Sequence, residues 1–267
     1  MAAGILTLTT DFGSEGPYVA AIKGVVLGLA PGTQLVDVSH SIAPQDIVGG
    51  SFVLGAIFEA FPPGTVHLAV VDPGVGTGRR LIAAMVDGRW LVLPDNGLIG
   101  GVLRDRELSG AWEIRNPALR RPVVAPTFHG RDILAPAAAH LLRGGDPADL
   151  GPTVAGLIRD PEPDPGEASG GIVGEVVFLD SFGNLITNIR RDRLGPDPVP
   201  GWEAEILGWS TGAMIGTYAD RPSGDLVGLV GSTGRVEVAV VDGSASRKLG
   251  AGRGTPVLLR KIGRNPG

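Results

Sequence analysis

Apolar residues in the first part of the chain fall into blocks that switch between two periods. Residues 5–10 form a short β-rich run. Residues 18–29 then place Ala, Ile, Val and Leu at helical spacing until Pro31-Gly32 stops the pattern. The alternation continues with a strand over 34–38, a helix over 46–61 closed by Pro62-Pro63-Gly64, and an apolar strand over 65–71. A hairpin pair follows at 81–86 and 90–93 around Asp87-Gly88, then a helix over 133–142 with Gly144-Gly145 behind it. Strands alternating with helices predict an α/β layer with a largely parallel sheet. Ligands bind such sheets beyond the carboxyl ends of the strands, where Asp11, Asp72 and Asp95 fall.

The pattern changes near Gly151. Residues 160–171, DPEPDPGEASGG, are rich in Pro, Gly and acids and read as a linker. Short β-like runs follow at 172–179, 185–189, 204–207, 226–230, 236–241 and 256–259, with no long helical pattern between them. They predict a small antiparallel sheet or barrel. The expected organisation is an α/β N-terminal domain over 1–158, a linker over 159–171, and a smaller all-β C-terminal barrel over 172–267.

Composition narrows the function. A chain of 267 residues can bury a sizeable core unaided. The absence of cysteine removes disulfides, thiolate nucleophiles and Cys-ligated zinc, and fits a reducing compartment. The net charge of −5 and the lack of a long Lys/Arg run argue against nucleic acid as a partner. The apolar stretch 19–30 is too short to span a bilayer and contains Lys23, and residues 1–5 carry no basic residue of a signal peptide. The expected location is cytoplasmic, with no membrane partner.

Four segments carry candidate chemistry. Asp11, in Thr9-Thr10-Asp11-Phe12-Gly13, fits a clamp on a ribose diol or an N-cap or turn aspartate. The loop Asp72-Pro-Gly-Val-Gly-Thr-Gly-Arg79-Arg80 has neither the Walker lysine nor dinucleotide glycine spacing, and presents one acid with one or two guanidiniums. Its plain alternative is a surface turn with an Asp–Arg pair. Pro94-Asp95-Asn96-Gly97 is turn chemistry first and ligand contact second. His129 lies between Phe128 and Gly130 before Arg131-Asp132, a setting that suits a general base, while Asp132 can cap the following helix with Arg131 as partner. His40, His67 and His140 have plainer, structural settings. The fragments resembling kinase loops are in the wrong order and lack an ATP loop. No His-x-x-x-His or Glu-x-x-His spacing marks a metal site.

Taken in order, Thr9–Gly13 with 18–24, Val36-Asp-Val-Ser-His40, 72–79, 94–97, 128–132 and Asp180-Ser-Phe-Gly-Asn184-Leu-Ile-Thr-Asn188 resemble the S-adenosyl-L-methionine hydroxide adenosyltransferases, relatives of the fluorinase and chlorinase. The resemblance covers nearly the whole chain. It implies a homotrimer with ligand sites shared between subunits, and hydrolysis of S-adenosylmethionine to adenosine and L-methionine by attack of water at C5′. The hydroxide branch carries an Asp–Arg–His set, which falls here on Asp72, Arg79 and His129. The resemblance further implies that Asp11 grips the ribose, and that Asp180 faces the methionine ammonium with Phe182 and Asn184 near the adenine. Ser232 would sit by the methionine carboxylate, and the adenine-edge segment falls near Val241-Asp242. Gln45 and Gly130 stand where the fluorinase has its pocket tryptophan and its fluoride-binding serine, so water is expected over halide. No metal and no cofactor is expected, since a sulfonium is already a good leaving group. The competing readings are a chlorinase-type halogenase, a non-catalytic protein binding S-adenosylmethionine or adenosine, and a metal-dependent hydrolase.

Overall fold

The computed structural model describes residues 4–159, 162–196 and 198–262. The chain divides into two compact units, 1–161 and 162–267.

The first unit runs β1 (Ile5–Thr10), α1 (Tyr18–Leu29), β2 (Gln34–Ser39), α2 (Ile47–Ile57), β3 (Val66–Val70), β4 (Leu81–Val86), β5 (Arg89–Pro94), α3 (Gly100–Leu103), β6 (Leu108–Glu113) and α4 (Ala135–Leu142). The sheet order is β2-β1-β3-β5-β4-β6. The first four strands in that order are parallel, and β4 runs antiparallel to both its neighbours, β5 and β6, so the sheet is mixed but mostly parallel. Every residue of β3 is buried, as expected for a central strand covered on both faces. One face packs Leu6, Leu8, Ile22, Val26 and Leu134. The other packs Leu54, Phe58, Ile82, Leu91 and Leu98.

Two helices differ from the sequence pattern. The expected 46–61 helix becomes 3-10 at Phe58–Ala60. The expected 133–142 helix starts earlier, through a π-helical turn at Gly130–Leu134 that runs into α4. Strand β6 was not legible in the hydrophobic pattern.

The connection from β1 through α1 leads to β2 on one side of β1, and the connection through α2 returns to β3 on the other. The neighbours β1 and β3 therefore flank a switch point, where a crevice opens at the carboxyl edge. Thr10 pairs with Val70 across them, which sets Asp11 and Asp72 just beyond that edge.

The second unit contains β7 (Gly166–Ala168), β8 (Gly171–Leu179), β9 (Leu185–Arg190), β10 (Trp202–Ile206), β11 (Trp209–Ala213), β12 (Leu226–Val230), β13 (Arg235–Val240), α5 (Ala245–Leu249) and β14 (Pro256–Lys261). The strands form one antiparallel path, β11-β10-β14-β8-β9-β13-β12, with β7 on β8. Ile215, just past β11, bridges to Leu229 of β12, so the sheet is nearly closed and barrel-like.

Part of the stretch expected as linker is structured. Strand β7 lies inside it, and Glu162 forms a buried two-pronged pair with Arg235 at 2.6 and 3.0 Å. Asn188 donates to the Pro163 carbonyl at 2.8 Å. Asp160 and Pro161, also in that stretch, lie outside the described residues, as do the first three and last five residues of the expected domains. Among the described residues no helix is long and apolar enough to cross a membrane.

Candidate active site

Asp72 lies two residues past β3, at the start of the glycine-rich loop. Gly76 turns that loop with φ +82°, and its backbone passes so close to the Pro126 carbonyl that a Cβ would crowd it. The loop thus returns Arg79 over Asp72. Arg79 Nε donates to Asp72 Oδ1 at 2.6 Å, and Arg79 Nη2 donates to Asp72 Oδ2. The pair is buried, with side-chain exposures of 10 % for Arg79 and 5 % for Asp72. That burial separates it from the surface ion pair which the sequence left as an alternative.

The third guanidinium nitrogen, Arg79 Nη1, lies 3.2 Å from His129 Nδ1. A guanidinium has no acceptor, so Arg79 donates and His129 Nδ1 accepts. The ring is therefore neutral, with its proton on Nε2. Burial, and then the Arg79 charge, hold His129 below the usual histidine range. Both point to a neutral ring near pH 7.

His129 precedes the π-helical turn. Its loop is held from below by Asp132, which is fully buried. Asp132 accepts from Arg131 Nε at 2.7 Å, Arg131 Nη2 at 2.8 Å, Arg121 Nη1 at 3.1 Å and the Ala125 amide at 2.9 Å. It does not cap the helix, but it does pair with Arg131. Burial alone would raise the carboxyl, yet these hydrogen bonds outweigh it and hold it at about 2. Because the folded pKa is depressed, the contribution to stability is present above the unfolded value of about 3.9. It should be lost as pH falls from there through about 2. Acid unfolding of Asp132→Asn should accordingly show a weaker pH dependence than wild type across that interval, followed by circular dichroism.

Asp11 is not a helix cap, since α1 begins at Tyr18 with Pro17 in the cap position and no side-chain cap. Its Oδ2 accepts the Gln45 amide at 2.8 Å, and Gln45 holds a left-handed φ of +65°. Asp11, Gln45, Asp72 and His129 line one cavity of about 250 Å³, with Phe12 and Phe128 as apolar wall. Phe12, Tyr18 and Phe128 meet edge to face, with centroids 5.5 to 6.0 Å apart. A Cβ at Gly130 would meet Ile22 and Val70 at ordinary contact distances of 3.4 and 3.5 Å. Packing therefore does not demand glycine there.

Other sequence candidates are structural in their contacts. Asp95 pairs with Arg80 and accepts the Ile158 amide, and Asn96 donates to the Val71 carbonyl. His67 is buried in β3 against Thr7, and burial lowers it to about 4. His40 bridges Thr10 and Asp37. His140 lies 3.0 Å from the Asp146 carbonyl.

In the second unit, Asp180 closes the loop after β8. Its Oδ1 accepts the amides of Phe182 and Asn184 at 3.0 and 2.9 Å, and its Oδ2 accepts Asn184 Nδ2 at 2.9 Å. Phe182 is 73 % exposed. Ser232 is exposed in the turn between β12 and β13, and Asp242 follows β13 with φ +53°. Two neighbours escaped the sequence reading: Tyr218 and Glu237 join Asn184 in one hydrogen-bonded chain.

An α/β crevice carrying a buried Asp–Arg–His array, in a chain whose second unit is barrel-like, matches a known protein class. Family models for the N- and C-terminal domains of S-adenosylmethionine hydroxide adenosyltransferases match residues 6–151 and 174–258, and the chain belongs to that family. Among its relatives is the (R)-S-adenosyl-L-methionine hydrolase of Thermus thermophilus, 41 % identical over 94 % of this chain and 97 % of that protein. The Salinispora tropica protein of the same name is 40 % identical over 92 % and 93 %. A fluorinase from an Actinoplanes species is more distant, at 28 % identity over 88 % and 90 %. A crystal structure of an uncharacterized conserved protein from Thermotoga maritima superposes with a TM-score of 0.89 at 32 % identity, covering 96 % of this chain and all of that one.

Proposed function

We propose that this chain hydrolyses S-adenosyl-L-methionine to adenosine and L-methionine. The observation that carries the reading is the hydrogen-bonded Asp72–Arg79–His129 array, whose Asp72 and His129 line a cavity together with Asp11. Membership of the family, and relatives named as hydrolases at 36 to 41 % identity, support it.

In this reading a water oxygen bonds to C5′ as the C5′–S bond breaks. The sulfur keeps the electron pair and leaves as the neutral thioether of methionine, and the attacking oxygen loses its proton to solvent. Little leaving-group assistance is needed, so the protein's task is to hold water in line with C5′. Orientation of this kind can contribute roughly 7–11 kcal/mol. Asp72 fixes the guanidinium of Arg79 from one side, and Arg79 fixes the His129 ring from the other. Asp72 spends both oxygens on Arg79, and His129 Nδ1 spends its lone pair there, so neither is a free base. The remaining polar group of the ring is the Nε2–H, a donor that can hold the water oxygen while leaving it a lone pair for attack. Asp11 takes the ribose diol. Asp180, Phe182, Asn184 and Ser232 take the methionine and adenine ends, in a homotrimer whose sites are shared between subunits. S-adenosylmethionine is substrate, with no other cofactor or metal, and the protein works in the cytoplasm.

Purified protein incubated with S-adenosylmethionine should yield adenosine and methionine in equal amounts, with ¹⁸O from labelled water in the 5′-hydroxyl. The (R) and (S) sulfonium epimers should be assayed separately, since the relatives are named for the (R) form. Unchanged ligand after long incubation would leave a binding protein. Accumulation of 5′-chloro-5′-deoxyadenosine in chloride would make it a halogenase, and loss of turnover on chelation would make it a metal-dependent hydrolase.

A further inference from the structure

Strand β13 reads as alternating, Arg235-Val-Glu237-Val-Ala-Val, with Glu237 on what looks like its solvent face. Yet Glu237 is only 6 % exposed. A buried carboxylate is costly unless it is hydrogen-bonded. Two features accommodate this one. A Cβ on Gly231 would overlap the Glu237 carboxylate, so that turn position is kept open for it. The Tyr218 hydroxyl lies 3.2 Å from Glu237 Oε2.

The directions of the bonds follow from chemistry. A carboxylate only accepts, so Tyr218 donates its proton to Glu237. The phenol oxygen then receives Asn184 Nδ2 at 3.4 Å, and the same amide nitrogen donates to Asp180 Oδ2 at 2.9 Å. A single chain thus runs from Glu237 through Tyr218 and Asn184 to Asp180. Tyr218 sits on a stiff turn, where Thr217 and Asp220 form a reciprocal capping box. Burial, and then the Glu237 charge, push the Tyr218 phenol up to about 12, so it remains a donor near neutral pH.

We propose that Glu237 is a positioning residue for the ligand-binding loop 180–184, acting through the Tyr218 hydroxyl and the Asn184 amide. The inference rests on the S-adenosylmethionine reading above, which gives that loop its ligand contacts. Glu237 fixes the hydroxyl, the hydroxyl fixes which way the Asn184 amide points, and the amide holds the Asp180 carboxylate.

The test compares E237L, E237Q, Y218F and the E237L/Y218F double variant, with S-adenosylmethionine affinity by calorimetry and steady-state kinetics. Because this link orders the loop rather than touching the ligand, its loss should cost about three- to ten-fold in affinity, the range of one modest net hydrogen bond. E237L and Y218F should each raise Kd and KM by about that factor with little change in kcat. The double variant should be no worse than either single one, because both changes cut the same link. E237Q should stay close to wild type, since its amide oxygen still accepts from Tyr218. Should E237L fail to fold, Y218F alone decides, because it deletes one hydroxyl. Wild-type affinity in Y218F, additive losses in the double variant, or E237Q as damaging as E237L would each overturn the inference. A wild type that neither binds nor cleaves S-adenosylmethionine would overturn the functional reading first, and this inference with it.

Discussion

Replacing His129 with alanine should lower kcat about 10²–10³-fold with little change in substrate affinity, the cost of losing one donor aimed at the reacting centre. The protonation state argued above makes a sharper forecast about which replacements recover activity. Arg79 donates to His129 Nδ1, so the remaining polar group of this cavity-lining residue is its Nε2–H. Glutamine can place an amide N–H near the Nε2 position but cannot act as a base. Asparagine can accept from Arg79 near the Nδ1 position but does not reach as far. If His129 serves as a donor, H129Q should retain clearly more turnover than H129A, and H129N should resemble H129A. If His129 removes the proton from water, H129Q should be as inactive as H129A. The pH profile provides a second reading. Protonation of Nδ1 would set two donors against each other, so turnover should fall as the ring titrates. Since the ring is held below the usual value of about 6.5, that fall should come at more acidic pH and leave turnover level through neutrality.

How much of this was visible in the sequence differs from element to element. β1 and α1 follow the hydrophobic pattern residue for residue, because their apolar faces are continuous and Pro31-Gly32 ends the helix sharply. β6 (Leu108-Ser-Gly-Ala-Trp-Glu113) and β11 (Trp209-Ser-Thr-Gly-Ala213) did not stand out. They are short and rich in small or polar residues, and their pairing partners rather than their own propensities make them strands. The π-helical turn at Gly130–Leu134 has no local signature either. Within it, Asp132 is anchored to Arg121 and the Ala125 amide, tertiary partners that no local pattern announces.

The site shows the same division. Asp72 and Arg79 are seven residues apart on one glycine-rich loop, so their pairing could be read as a motif. His129 lies fifty residues further on, and only the family resemblance joined it to them before the structure did. The Glu237–Tyr218–Asn184 chain draws on a strand, a turn and a loop. Its strand residue is disguised by β13, where Arg235 and Glu237 alternate with valines as solvent-facing residues would. Both are buried, Arg235 against Glu162 and Glu237 against Tyr218. Alternation reports which residues share a face; it does not say whether that face is wet.

The largest loss should come from Arg79, where stability and chemistry depend on one side chain. Arg79→Ala would leave Asp72, 5 % exposed, as an unpaired buried carboxylate. Removing one partner of a buried ion pair typically costs about 3–5 kcal/mol. It would also release the His129 ring. Arg79→Lys keeps the charge, but one ammonium cannot reproduce a planar fork that grips both Asp72 oxygens while donating to Nδ1. It should therefore fold better than Arg79→Ala and still turn over poorly. The double change Asp72→Leu/Arg79→Met separates the two roles. Replacing a buried pair with apolar residues of similar volume is often neutral or stabilising. The double variant should regain the denaturation midpoint lost in Arg79→Ala, as read by urea titration, and remain inactive in single-turnover assays because nothing then orients His129. Turnover near the wild-type level in that double variant would show that the Asp72–Arg79 pair only holds the loop, and would leave the chemistry to His129 and Asp11 alone.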